Sequence, residues 1–155
     1  MFLYEYKMER GIAMDSRVES YFEDIKGKKI AFLGIGGSNL PLAKIFRQKG
    51  AIVFACDKRE KEQLGKTGEE LEQMGITLKL GEHYLEQLDV DMMFRTPGMR
   101  FHTKELEQAR EKGIVVTSEM EVFFDLCPCP IYAVTGSDGK TTTTTIISEF
   151  LKETN

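Results

Sequence analysis

Lys29-Ile30-Ala31-Phe32-Leu33-Gly34-Ile35-Gly36-Gly37-Ser38-Asn39 decides the fold. A short apolar strand runs straight into a glycine turn, and a helix start follows. Ser38 or Asn39 can cap that helix, and Pro41 falls in its first turn, where no amide hydrogen is needed. Leu42, Ile45 and Phe46 read as its inward face, and Gly50 ends it. Ala51-Ile52-Val53-Phe54-Ala55-Cys56 then reads as a second strand that closes on Asp57. Both strands are unbroken apolar runs, as expected of a parallel sheet covered on both faces.

The alternation continues outward. Residues 60–74 read as a helix weakened by Gly65 and Gly68, and 76–80 as a strand. A helical turn over 84–88, a strand over 90–95, a helix over 104–112 and a strand over 114–116 follow. Ser118 with Glu121 makes a capping box for a helix through Leu126. Upstream, Val18, Tyr21, Phe22 and Ile25 share one helical face. The pattern predicts an α/β fold, a Rossmann-like, doubly wound, mostly parallel sheet. Cys127-Pro128-Cys129-Pro130 interrupts it with an extended connector, and a domain boundary is expected near 117–130. The expected division is a helical extension over 1–26, a Rossmann-like domain over 27–118, and a linker opening a second domain over 119–155.

That second unit opens with a strand over Ile131–Thr135, then Gly136-Ser137-Asp138-Gly139-Lys140-Thr141-Thr142, then a helix to about Glu153. Phosphate binding needs backbone N–H groups converging at a helix N-terminus, where the macrodipole is positive. Gly136 and Gly139 let the main chain approach the anion. Lys140 supplies charge for the outer phosphates, and a hydroxyl of Thr141 or Thr142 suits Mg²⁺. The full G-x-x-x-x-G-K-[ST] pattern would put glycine where Val134 stands, so this is a shortened variant. Five consecutive threonines, Thr141–Thr145, are poor helix formers and are explained by a ligand for their hydroxyls.

The earlier turn departs from the dinucleotide fingerprint, because Asn39 stands at its third glycine position. Asp57 lies where an acid could meet a ribose hydroxyl or a base. The turn therefore reads as a site for a nucleotide diphosphate, of which NAD is one candidate. Thr96-Pro97-Gly98 follows a strand and falls on the same carboxyl edge of the sheet.

Composition excludes other classes. The 155 residues are 41% hydrophobic and 30% charged, with a formal net charge of −4 and no basic block. That argues against nucleic-acid binding. No apolar run is long enough to span a membrane, residues 1–10 do not read as a signal peptide, and the expected location is cytoplasmic. The three cysteines are expected as reduced thiols. Cys127-x-Cys129 lacks the further ligands of a zinc site. His83 and His102 read as surface residues, and the acidic stretch 60–72 as a solvated helix face.

Taken together, these motifs resemble the Mur ligase family of peptidoglycan synthesis, from about Lys28 to the end of the chain. The resemblance rests on residues 34–39, Cys56-Asp57-Lys58-Arg59, Thr96-Pro97-Gly98, Thr117-Ser118-Glu119-Met120-Glu121-Val122-Phe123 and the loop 135–143. The Pro-Gly and the Ser-Glu-Met-Glu-x-Phe helix point to the D-glutamate-adding branch, while the Gly-Ile-Gly-Gly turn is also similar to the L-alanine-adding one. The resemblance implies that the first domain binds the UDP part of UDP-N-acetylmuramoyl-L-alanine. Gly36, Gly37, Ser38 and Asn39 would hold the uracil and diphosphate, Asp57 and Lys58 would flank the uridine, and Thr96 and Gly98 would lie on the muramoyl-peptide side. Lys140, Thr141 and Thr142 would hold ATP and Mg²⁺, with Thr141 as the metal ligand. ATP would activate the substrate carboxylate for attack by D-glutamate. The family's remaining parts would lie beyond Asn155, so the chain alone is expected to be inactive. Residues 131–155 are expected to dock on the first domain or to pair with another copy.

Overall fold

The computed structural model describes residues 16–153; the expected extension over 1–26 therefore lies partly outside the described residues. Helical residues 16–24 form α1. There follow β1 (Lys29–Leu33), α2 (Asn39–Gln48), β2 (Ile52–Asp57), α3 (Lys61–Leu64), α4 (Lys66–Gln73), β3 (Thr77–Leu80) and β4 (Met92–Arg95). The chain continues through α5 (Lys104–Glu111), β5 (Val115–Thr117), α6 (Glu119–Leu126) and α7 (Lys140–Glu153).

The five strands form one sheet in the order β3-β2-β1-β4-β5. Every pairing is parallel, with Leu33 opposite Cys56 on one side and Arg95 on the other. Because β1 is followed by β2 on one side while β4 lies on its other side, the topology switches direction at β1. Open α/β sheets bind ligands in the crevice at the carboxyl ends of such strands.

Strand periodicity sends alternate residues to opposite faces. Ile30, Phe32, Val53 and Ala55 join Phe46 of α2 and Leu71 of α4 in one apolar layer, with Tyr21 and Phe22 of α1 packed against it. Ala31, Leu33, Cys56 and Met93 form the other layer with Leu106 and Ala109 of α5. Phe32 and Phe94 stack at 4.8 Å, and Phe46 meets them edge-on at 5.3 and 5.1 Å. Each such pair adds about 0.5–1.5 kcal/mol beyond the area it buries. These rings pin α2 to the sheet and so fix the turn that precedes it.

Several expectations need correction. Phe46 faces inward, but Ile45 is exposed, and Ala43 takes the buried position instead. Ser38 makes no side-chain cap bond. The helix expected over 60–74 breaks at Gly65, whose φ of 51° interrupts the helical path. Ser118 does cap α6 through the Glu121 amide, yet Glu121 accepts from the Ser118 hydroxyl rather than from its backbone. The strand expected over Ile131–Thr135 is absent. An apolar run becomes a strand only where a neighbour can take up its backbone groups, and no described strand lies alongside it. Nor does the tail dock on the first domain: every described residue from 136 onward is exposed.

Candidate functional site

The carboxyl ends of β1, β2 and β4 surround an open cleft of about 510 Å³. Gly34 shapes its floor. Its φ of +88° suits glycine alone, and a Cβ there would stand 2.9 Å from the Thr96 methyl. Its amide donates to the Cys56 carbonyl at 2.6 Å. The turn is thereby held between β2 and the segment that follows β4.

Gly36 and Gly37 differ in kind. Both have ordinary φ, and a Cβ on either would meet nothing within 4 Å. The fold does not require glycine at these positions. They stand exposed at the N-terminus of α2, whose first amides lack helical partners. The same open space lies in front of Gly98 across the cleft.

Asp57, at the end of β2, is buried and fully engaged. One oxygen accepts from the Ile35 amide (2.7 Å) and Arg59 Nη2 (2.8 Å); the other accepts from the Arg59 amide (3.0 Å) and Arg59 Nε (2.9 Å). Arg59 Nη2 also donates to the Ile35 carbonyl at 2.7 Å. Burial alone would raise this carboxyl's pKa, but the bonds from Arg59 and Ile35 overcome it and hold the pKa down at about 2. The result is a clamp joining the β1–α2 turn to β2.

Of the residues singled out in sequence, Gly36, Asp57, Lys58, Thr96 and Gly98 line this cleft together. Gly37 and Ser38 stand beside them at the helix start without lining it. Asn39 does not reach it. It is completely buried, and its amide nitrogen donates to the Leu33 carbonyl (3.0 Å) and the Phe94 carbonyl (3.4 Å). It ties together the ends of β1 and β4 where the crevice opens. Sequence reading gave no role to Ile35, Arg59 or Tyr84, which also line the cleft. Met99 and Phe101, open in sequence between a cleft and a contact surface, divide, with Met99 lining the cleft and Phe101 exposed outside it. For Arg59 the signal was present in Asp57-x-Arg59, an acid and a guanidinium on one side of a strand end.

The second glycine loop stands in the open. Gly139 takes a φ of +74°, and the Thr143 amide closes the first turn of α7 on its carbonyl. The Lys140 ammonium folds back onto the carbonyls of Gly136 and Ser137. Thr141 and Thr142 are exposed at the helix start, and Thr144 bonds back to the Lys140 carbonyl. Two glycines, a lysine and free hydroxyls fit a polyphosphate chain. For magnesium, this loop offers the hydroxyls of Thr141 and Thr142 and a single carboxylate, that of Asp138. Magnesium is ordinarily held by one or two carboxylates besides the phosphates, and no cluster of three metal-binding side chains exists among the described residues.

The other candidates keep their plain readings. His83 and His102 are exposed and paired with Glu86 and Glu107, and all three cysteines are free thiols. Among the described residues no helix is long and apolar enough to cross a membrane.

Residues 28–118 match the family model described as the Mur ligase MurD-like N-terminal domain. The chain belongs to the Mur ligase family, on its MurD-like branch. It is 48% identical over 141 residues to a UDP-N-acetylmuramoylalanine–D-glutamate ligase from Clostridium botulinum, covering 90% of this chain and 31% of that protein. It is 50% identical over 141 residues to the like-named ligase of Acetivibrio thermocellus, covering 90% of this chain and 30% of the relative. Among solved structures it is similar to the UDP-N-acetylmuramate–alanine ligase MurC of Thermotoga maritima, with a TM-score of 0.52 and 30% identity over 81% of this chain and 29% of that one. It is also similar to the murein peptide ligase Mpl of Psychrobacter arcticus, with a TM-score of 0.53 and 28% identity over 79% of this chain and 26% of that one. The chain thus spans less than a third of the length of these curated relatives.

Proposed function

We propose that the cleft at the ends of β1, β2 and β4 binds the uridine diphosphate part of UDP-N-acetylmuramoyl-L-alanine, within a ligase that adds D-glutamate to it. The observation that carries this reading is the pair Gly36 and Gly37. Both are glycines with no steric need to be so, and both stand at the N-terminus of α2 by the switch point, Gly36 lining the cleft and Gly37 next to it. A diphosphate can approach that backbone closely and meet unpaired amides. Lys58, exposed at the cleft, adds a cation, and Thr96 and Gly98 form the opposite lip toward the sugar and peptide. Asn39 contributes by holding the crevice ends in place rather than by contact.

In the reaction, the carboxylate of the L-alanyl group attacks the terminal phosphorus of ATP and ADP leaves. The amine of D-glutamate then attacks the acyl phosphate, forming the amide and releasing phosphate. Lys140 would leave its own loop carbonyls for the phosphates, and Thr141 or Thr142 would give a hydroxyl to Mg²⁺, which offsets charge on the transferred group. The domain division at 27–118 and 119–155 follows the same reading, with the cleft in the first part and the phosphate loop in the second.

A dinucleotide reading is disfavoured by Asp57. In NAD sites the acid at this position bonds the ribose, whereas here both carboxylate oxygens are taken by Ile35 and Arg59. Calorimetric titration of the 155-residue chain tests the proposal. UDP and UDP-N-acetylmuramoyl-L-alanine should bind, the latter more tightly than UDP-N-acetylmuramate, and NADH should not. Binding of NADH without any response to uridine nucleotides would sink it. A preference for UDP-N-acetylmuramate would move the chain to the L-alanine-adding activity.

A further inference from the structure

The Asp57 clamp leaves a gap in the chemistry of the cleft. A carboxylate offers about four acceptor positions, and four N–H groups from Ile35 and Arg59 already occupy them. A ribose hydroxyl arriving at the end of β2 finds no free acceptor on this acid. Displacing Arg59 would cost the bonds that hold the turn itself.

Tyr84 stands beside this position. It lies on the turn that begins at Gly81, directly after β3, and its amide donates to the Gly81 carbonyl. Its ring is half-buried, packed on the apolar layer that contains Leu33 and Cys56. It lines the same cleft as Asp57, Lys58 and Arg59. Among the described residues its hydroxyl has no hydrogen-bond partner, whereas the neighbouring Asp57 and Arg59 are paired with each other. Burial, then the nearby charge of Asp57, raises the phenol's pKa, so at neutral pH it remains a protonated donor. A ring fixed by packing, with an unused O–H at the nucleoside end of a nucleotide crevice, is a ready-made contact.

We propose that Tyr84 is a ligand-contact residue whose hydroxyl hydrogen-bonds a ribose hydroxyl of the bound nucleotide, in the place the Arg59 ion pair denies to Asp57. The inference rests on the uridine-diphosphate reading of the cleft. It puts the phosphates on the Gly36–Gly37 side and the ribose between β2 and the 81–88 turn.

Tyr84→Phe keeps the ring and removes only the hydroxyl. Titrating wild type and Y84F chain with UDP, 2′-deoxy-UDP and 3′-deoxy-UDP separates the outcomes. Y84F should bind UDP about 3–10-fold more weakly, the size of one hydrogen bond, with an unchanged melting temperature. One of the two deoxy analogues should bind wild type and Y84F alike, because the hydroxyl that Tyr84 meets is already gone. Equal UDP affinity in the two proteins overturns the proposal. So does a loss that is the same for UDP and both analogues, which would mark Tyr84 as structural. If wild type itself fails to bind UDP, the uridine reading falls and Tyr84 falls with it; binding by wild type with an unaffected Y84F removes only the Tyr84 contact.

Discussion

The chain carries two glycine loops that each lead into a helix, and their surroundings are opposite. The loop at 34–37 is wedged between three strand ends, tied to β2 by Gly34 and by the Asp57–Arg59 clamp, and backed by the Phe32–Phe46–Phe94 cluster. The loop at 136–139 has no strand before it and no buried residue within it or in the helix that follows. As a motif the second is the more recognisable, and as a site the first is the more complete. A phosphate motif specifies which groups could meet the anion; the scaffold that holds them comes from the neighbouring elements.

The sharpest way to break this contrast is to open the clamp. Asp57→Asn keeps the shape of the side chain but removes its charge and swaps one acceptor for a donor facing Arg59. The resulting loss should be about 2–3 kcal/mol in chemical denaturation, near the low end for a broken buried pair because Arg59 stays half-exposed. The pH profile should agree. A carboxyl with a folded pKa near 2 and an ordinary value near 4 when unfolded stabilises the fold above about pH 4. That contribution should fade as pH falls from about 4 to 2, and Asp57→Asn should lack this part of the acid dependence. An unaltered acid limb in the variant would show that the clamp contributes nothing to stability.

A subtler test divides the first loop against itself. Gly34→Ala places a methyl against Thr96 on backbone with φ near +88°, and should cost about 1–3 kcal/mol of stability. Gly36→Ala places a methyl in open space and should leave the melting temperature within about 1 °C. The same substitution should weaken UDP binding about tenfold, roughly 1.4 kcal/mol, because the methyl occupies the diphosphate's approach. If Gly36→Ala bound UDP as wild type does, the phosphates would have to lie elsewhere in the cleft.

How much of this was legible beforehand depended on the range of the interaction. The apolar runs 29–33 and 51–56 carried their own answer, since a strand buried on both faces has no polar alternation to confuse. The helix over 60–74 failed at one backbone angle, because Gly65 lets the chain turn where no contact penalises it. Asn39 and Asp57 were singled out in the sequence as nucleotide contacts. Asn39's partners, however, come from the ends of β1 and β4, and Asp57 adds the turn at Ile35 to its sequence neighbour Arg59; only the assembled sheet brings those strand ends and that turn near. Asn39 became a strap and Asp57 a clamp for that reason. Tyr84 carried no motif at all, and its interest lies in a hydroxyl that has no hydrogen-bond partner among the described residues.

The smallest expected effect sharpens the comparison from the other side. Lys140→Ala removes the central cation of the second loop, along with its bonds to the Gly136 and Ser137 carbonyls. Those bonds are local, exposed and between groups that water would otherwise satisfy, so their net worth is small. Exposed cations contribute little to stability in general, and nothing from β1 to β5 leans on this one. The variant should therefore unfold within about 0.5 kcal/mol of wild type and should bind UDP unchanged. A nucleotide displacement assay with ATP should reveal its only deficit, a loss of whatever phosphate affinity the loop has. If Lys140→Ala instead lowered the melting temperature or UDP affinity as Asp57→Asn does, the two loops would have to form one coupled site, and the independence drawn from their surroundings would be lost.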